Sequence, residues 1–101
     1  MTASKFPHLD SPLTVPEHVA IRTFDGETVA LNVETGRYFG LNAVAARMLE
    51  AVGRAATPAD VVEPLAAEYE QPVERIAEDL SMLLGSLLER GLLELDALAG
   101  A

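Results

Sequence analysis

The chain has 101 residues, half of them hydrophobic, and no cysteine, so it fits a single domain with one core and excludes disulfide scaffolds, thiol nucleophiles and cysteine-ligated metal centres. Its formal net charge is −9, most of which lies in residues 57–101, where there are ten acidic and two basic side chains. A surface of this sign repels phosphate backbones and anionic lipid headgroups, and therefore disfavours nucleic-acid and membrane partners.

The amino-terminal segment, residues 1–16, carries prolines at positions 7, 12 and 16 and predicts an extended, flexible arm. We expect the folded domain to cover residues 17–95, followed by a short tail at 96–101. No apolar run follows the first lysine, and no apolar stretch exceeds four residues, so neither an export signal nor a membrane span is predicted. Together with the lack of cysteine, this pattern favours the cytoplasm.

Three strands are predicted between residues 19 and 41. The predicted strand Val19–Phe24 is followed by Asp25-Gly26, a dipeptide typical of two-residue hairpin turns. Apolar residues at 29, 31 and 33 then alternate with residues 28, 30 and 32, as in a half-buried strand. A second turn at Glu34–Gly36 leads into the short strand Arg37–Leu41, which completes an antiparallel meander.

Three helices are predicted after the strands. Asn42 is a suitable N-cap for the first, which ends at Gly53, and Thr57 with Pro58 begins the second. Pro64 does not fit the interior of a helix that starts at residue 58, so we expect a kink there or a start nearer Asp60.

The third helix is predicted from about Pro72 to Gly91. Its apolar residues are more numerous than one buried stripe requires, so it should contact two surfaces. One interpretation is that these are the sheet and the other helices, and another is that part of the helix lines an open groove. The predicted fold class is α+β, a three-stranded antiparallel β-meander followed by three α-helices, as in winged helix-turn-helix domains.

No catalytic constellation is present in the sequence. His8 and His18 have no carboxylate or nucleophile at a meaningful spacing, and no serine lies in an elbow motif. The acidic cluster of Glu74, Glu78 and Asp79 lacks histidine and is better interpreted as a solvated face than as a metal site. We therefore expect no enzymatic activity, no cofactor and no metal.

The third strand offers an unpaired edge. It contains no proline that would block pairing, and such edges accept extended peptides by β-augmentation. The chain could instead cover this edge itself. Two other functions stay open at this point: an acidic winged-helix regulator, which the charge disfavours for DNA, and a structural or dimerisation subunit.

Several segments resemble the pyrroloquinoline quinone biosynthesis protein D superfamily over about residues 17–95. They are Leu31–Asn42 with Ala45-Ala46, Val73–Leu80, and Leu84 to the ending Arg90-Gly91-Leu92-Leu93. The resemblance implies a precursor-peptide recognition element, which binds the leader of a ribosomally made, modified peptide as a strand added to its third strand and against its third helix. Two positions depart from the family pattern: Leu49 stands where many relatives have tryptophan, and Pro64 interrupts the second helix.

The Thr-Gly-Arg-Tyr turn at residues 35–38 is most similar to the free-standing leader-binding protein of lasso-peptide biosynthesis. That likeness implies a separate leader protease and a cyclase as partners. The branch that serves quinone cofactor assembly with a radical enzyme is the alternative.

The candidate leader-binding site combines the third strand with one stripe of the third helix, because residues three, four and seven apart share a helix face. It consists of Arg37, Tyr38, Phe39, Gly40, Leu41, Arg75, Ile76, Asp79, Leu80 and Leu83. The sequence does not determine which of Tyr38 and Phe39 faces the core. Because the charge is strongly negative, we expect a monomer.

Overall fold

The element order follows the predicted meander and helices, with an additional two-residue strand near each end. The structure is a computed structural model that describes residue 6 and residues 8–95. Its elements are β1 Leu13–Thr14, β2 Val19–Phe24, β3 Glu27–Asn32, β4 Tyr38–Leu41, α1 Ala43–Gly53, a 3-10 turn Pro58–Val61, α2 Val62–Tyr69, α3 Val73–Glu89 and β5 Glu94–Leu95. The α+β fold class predicted from the sequence is confirmed.

The main sheet is antiparallel, with the strand order β2-β3-β4. Asp25 and Gly26 join β2 to β3 with positive φ angles of 51° and 81°, the backbone of a type I′ hairpin turn. This turn matches the right-handed twist of the strands, which explains why an Asp-Gly pair connects the first two strands of the meander.

The inward face of β3 carries its smaller side chains. Ala30 is fully buried and Asn32 is 8% exposed, whereas Val29 and Leu31 are half-buried on the opposite face. The predicted alternation is present, but the apolar set at 29, 31 and 33 does not face the core. Ala30 lies opposite Phe39 in the register, and Phe39 packs against the core.

The first helix begins at a polar N-cap, whereas the second has an apolar residue, Val61, at that position. The side-chain oxygen of Asn42 accepts a hydrogen bond from the amide of Ala45 at 2.8 Å, as its predicted N-cap role requires. The second helix, α2, starts only at Val62, after the 3-10 turn. Pro64 therefore lies in its first turn, where the missing amide would have no partner within the helix.

Helices α1 and α2 are also joined at their surface. Arg47 donates hydrogen bonds to both carboxylate oxygens of Glu68 at 3.0 Å, and this bond, followed by the attraction of the carboxylate charge, raises the pKa of Arg47. The pair is exposed to solvent, so it adds little to the free energy of unfolding and mainly orients α1 relative to α2.

Helix α3 forms the centre of the core. Leu80, Leu84 and Leu87 are fully buried, Leu83 is half-buried at the flank, and Met82 is 67% exposed. No helix within the described residues is long and apolar enough to cross a membrane.

Residues 8–16 pack onto the domain, which differs from the flexible arm expected for this part of residues 1–16. Leu9 and Leu13 lie in the core, at 4% and 9% exposure. Strand β1 pairs antiparallel with β5, and the Leu9 carbonyl accepts a hydrogen bond from Ala59 at 2.8 Å. Pro12 and Pro16 disfavour a long strand in this segment because proline lacks a backbone donor, but Leu9 and Leu13 can still be buried. The tail expected at 96–101 lies outside the described residues.

Candidate functional site

Strand β4 is an edge of the main sheet, and within the described residues no strand pairs with its outer side. The turn before it fixes where it begins. Gly36 has a φ of 78°, and its amide donates to the Asn32 carbonyl at 2.8 Å. The buried Asn32 side chain accepts from the amides of Glu34 and Thr35 at 2.9 and 3.2 Å. The edge is thus anchored to the centre of the sheet.

The register shows which backbone groups of β4 point outward. The amide of Asn32 donates to the Arg37 carbonyl at 2.8 Å, so these two residues form a hydrogen-bonded pair. Hydrogen-bonded and non-bonded pairs alternate along an antiparallel ladder. Phe39, opposite Ala30, is therefore bonded to β3, whereas the N–H and C=O groups of Tyr38 and Gly40 face the open side.

Side chains of β4 alternate between the two faces of the sheet. Phe39 packs against the core and Leu41 is buried, whereas Tyr38 is 70% exposed on the opposite face. The question that the sequence left open is thereby answered: Phe39 faces inward. A methyl group at Gly40 would have no neighbour within 4 Å, so this part of the edge is uncrowded.

The carboxyl-terminal end of α3 lies beside the start of β4. The guanidinium of Arg90 stacks 4.8 Å from the centre of the Phe39 ring, a cation–π contact. Arg90 also lines a cavity of about 300 Å³, whose other lining residues are Gly36, Arg37, Tyr38 and Leu92. We call this the Arg37–Arg90 cavity.

The amino-terminal end of α3 lies beside the chain that leaves β4. A second cavity of about 410 Å³ is lined there by Val44, Tyr69, Gln71, Arg75, Ile76 and Asp79. Arg75 and Asp79 form an ion pair at 3.2 Å, with side chains 63% and 45% exposed. Helix α3 therefore runs alongside β4 in the opposite direction, with one cavity near each end of the edge.

The structure brings together most of the predicted site residues. Arg37, Tyr38 and Gly40 lie on the open edge, and Arg75, Ile76 and Asp79 line the second cavity. Leu83 is half-buried. Leu80, Ile76 and Leu41 are buried, at 0%, 3% and 5% exposure, and belong to the core.

Sequence reasoning missed six cavity residues: Gly36, Val44, Tyr69, Gln71, Arg90 and Leu92. A signal for Arg90 was present, because it lies seven residues after Leu83 and continues the same helical stripe. No comparable local pattern marks Tyr69 or Gln71, since they come from a different helix and its following loop.

Within residue 6 and residues 8–95, no group of three or more histidine, aspartate or glutamate side chains could hold a metal ion. The geometry offers open backbone hydrogen-bonding groups and lined cavities. Such a surface is suited to an extended peptide.

Fold and site together define a small α+β domain with an open sheet edge beside a helix. The family model described as Coenzyme PQQ synthesis protein D (PqqD) matches residues 27–93, and the chain belongs to this family. No curated protein sequence matches the chain.

Two solved structures are similar over nearly their whole length. One, described as TbiB1 in complex with the TbiA(beta) leader peptide, is 32% identical, with a TM-score of 0.71, and the match covers 80% of this chain and 94% of that one. The other, a lasso peptide synthetase B1 complexed with the leader peptide, is 27% identical, with a TM-score of 0.76, and the match covers 83% and 99%.

Proposed function

We propose that the chain binds the leader region of a ribosomally synthesised precursor peptide and delivers it to a leader protease and other maturation enzymes. The observation that carries this proposal is the outward orientation of the Tyr38 and Gly40 backbone groups on β4. Both similar solved structures are described as complexes with a leader peptide. The chain itself performs no chemistry in this proposal.

The leader adds to β4 as an antiparallel strand and lies against α3. Its amides and carbonyls pair with those of Tyr38 and Gly40, and these backbone bonds set its register. Its amino-terminal end then lies near the Arg75–Asp79 ion pair, and its carboxyl-terminal end near the Arg37–Arg90 cavity. Leader side chains that face the helix contact Leu83 and the lining of the two cavities.

The partners in this proposal are a separate leader protease and a cyclase, as in lasso-peptide biosynthesis, with the chain acting as a cytoplasmic monomer. A second candidate is favoured by the description of the matching family model: a precursor chaperone for the radical enzyme of quinone cofactor assembly. Both candidates use the same edge of β4, and the gene neighbourhood separates them, because only the first requires a protease and a cyclase.

A proline at the edge provides the direct test. Gly40→Pro removes an outward amide and leaves the hydrogen bonds between Phe39 and Ala30 in place, so leader binding should fall at least tenfold. Gly40→Ala is the matched control, because it keeps the amide and its methyl group enters open space. The measurement is fluorescence polarisation with labelled leader peptides of the precursors encoded near this gene.

Circular dichroism establishes that both variants are folded. If the folded proline variant binds the leader as tightly as the alanine variant does, the leader does not add to β4.

A further inference from the structure

The Arg37–Arg90 cavity has an unusual charge for this protein. The chain carries a net charge of −9, yet two arginines line one cavity of about 300 Å³ beside the open edge. Among the described arginines, Arg47, Arg54 and Arg75 form ion pairs. Neither lining arginine pairs with a carboxylate of the described chain.

Arg90 is held in position by its neighbours. Its guanidinium lies 4.8 Å from the centre of the Phe39 ring, and a stacked guanidinium keeps the donors at its edge available. Leu92, at 3% exposure, adds an apolar side to the same cavity. The carboxylates nearest in sequence, Glu34, Glu89 and Glu94, are all exposed. Two like charges beside each other repel, and an anion bound between them relieves that repulsion.

We infer that this cavity is a subsite for an acidic side chain of the bound peptide, an inference that rests on the proposed leader-binding function. Carboxylates form short, bidentate hydrogen bonds with guanidinium groups, and a charged pair of this kind is the chemistry that two unpaired arginines select. The occupant is an aspartate or glutamate of a strand added to β4.

The register assigns this acidic residue to one position. In an added antiparallel strand, the residue opposite Phe39 has its side chain on the helix side of the sheet. The next residue on that face comes two positions later and lies opposite Arg37, at the mouth of the cavity. The acidic residue therefore lies toward the carboxyl-terminal end of the docked segment, opposite Arg37.

A selection from random peptides tests the subsite independently of any natural leader sequence. A library of mRNA-displayed peptides is selected on the parent protein and on Arg37→Glu, Arg90→Glu and Arg22→Glu. The last is the matched control, because Arg22 is an exposed arginine of β2 without an ion pair in the described chain. Peptides that lose binding to Gly40→Pro define the set that adds to β4.

In that set, the parent and Arg22→Glu should enrich aspartate or glutamate at one fixed position. Arg37→Glu and Arg90→Glu each leave one arginine beside one glutamate, so the acidic preference should be lost in both. A synthetic peptide with Glu at that position should bind the parent about tenfold more tightly than one with Lys, with Gln between them, and this difference should disappear for the two variants. The advantage of Glu should shrink between about 50 and about 500 mM NaCl.

The outcomes separate the two proposals. If peptides that depend on Gly40 are recovered without an acidic preference, or if the preference persists in both charge-reversed variants, the subsite is wrong and leader binding stands. If no selected peptide depends on Gly40, docking on β4 is wrong and the subsite falls with it. Circular dichroism of each variant shows that the comparison is made between folded proteins.

Discussion

Asn32 links the core to the binding edge. Its side-chain oxygen accepts hydrogen bonds from the amides of Glu34 and Thr35, and its own amide donates to Arg37. The residue is 8% exposed, so the side chain is held in one place by its surroundings. These bonds determine where the chain turns, and hence which residues of β4 have outward backbone groups.

We expect Asn32→Ala to lower the free energy of unfolding by about 1–3 kcal/mol, because two amides lose their acceptor next to the core. Leader binding should weaken as well, since the turn no longer holds β4 in its register. Urea unfolding and fluorescence polarisation measure the two effects. Thr35→Ala is the control, because it removes a single exposed acceptor from the same turn, 3.2 Å from the Arg37 amide. Equal unfolding midpoints for Asn32→Ala and the parent would contradict this role.

Tyr38 and Phe39 show what local sequence cannot determine. Neighbouring strand residues face opposite sides, so one of two adjacent aromatics must point inward, but both are equally good candidates. The choice depends on pairing with β3, where Phe39 lies opposite the fully buried Ala30. That pairing depends on β3, which lies outside this strand, so no motif within Arg37–Leu41 predicts it.

At the scale of elements, the sequence predicted the meander, the N-cap of α1 and the extent of α3, because these depend on local signals. Asp25-Gly26 forms a turn and Asn42 caps a helix, and each feature involves only residues close by in sequence. Burial along the predicted site stripe of α3 depends on the tertiary packing of the helix. Asp79 and Leu80 are adjacent and about 100° apart around the helix, so they occupy different environments within the stripe. Leu80 is fully buried and Asp79 lines the second cavity.

Two neighbouring residues of α3 differ in burial, and they allow a test of whether the leader contacts one defined groove of the helix. Leu83 is half-buried against the core, whereas Met82 is 67% exposed. We expect Leu83→Asp to weaken leader binding about tenfold or more, because a charge replaces an apolar contact of the docked strand. Met82→Asp should leave binding unchanged, although it introduces the same charge one residue away.

Fluorescence polarisation with the leader used for Gly40→Pro measures both variants. Because Leu83 also contacts the core, Leu83→Ala serves as a milder substitution, and urea unfolding reports how much stability each variant loses. A folded Leu83 variant that binds like the parent, or a Met82→Asp variant that binds as weakly as Leu83→Asp, would remove this part of α3 from the site.

At the scale of the whole molecule, the two ends of the described chain complete the core together. Strand β1 pairs with β5, and Leu92 and Leu93, each 3% exposed, join Leu9 and Leu13 in the cluster of buried residues. Composition alone predicted that residues 1–16 form an extended, flexible arm, since prolines are frequent there. Burial of two leucines argues that part of this segment contributes to folding, because small domains depend on most of their apolar residues.

We therefore expect Leu9→Ala and Leu13→Ala each to lower the free energy of unfolding by about 2–5 kcal/mol, as large-to-small changes in cores do. A domain of this size has about 5–15 kcal/mol in total, so a truncation that removes residues 1–14 should unfold at much lower urea concentration than the full chain. Asp10→Ala is the control, because Asp10 lies between the two leucines and is exposed. If both leucine variants unfold at the same urea concentration as Asp10→Ala, the segment is a dispensable arm after all. If they do not, the domain that presents the edge of β4 begins at or before Leu9, and leader-binding measurements require a protein that retains that segment.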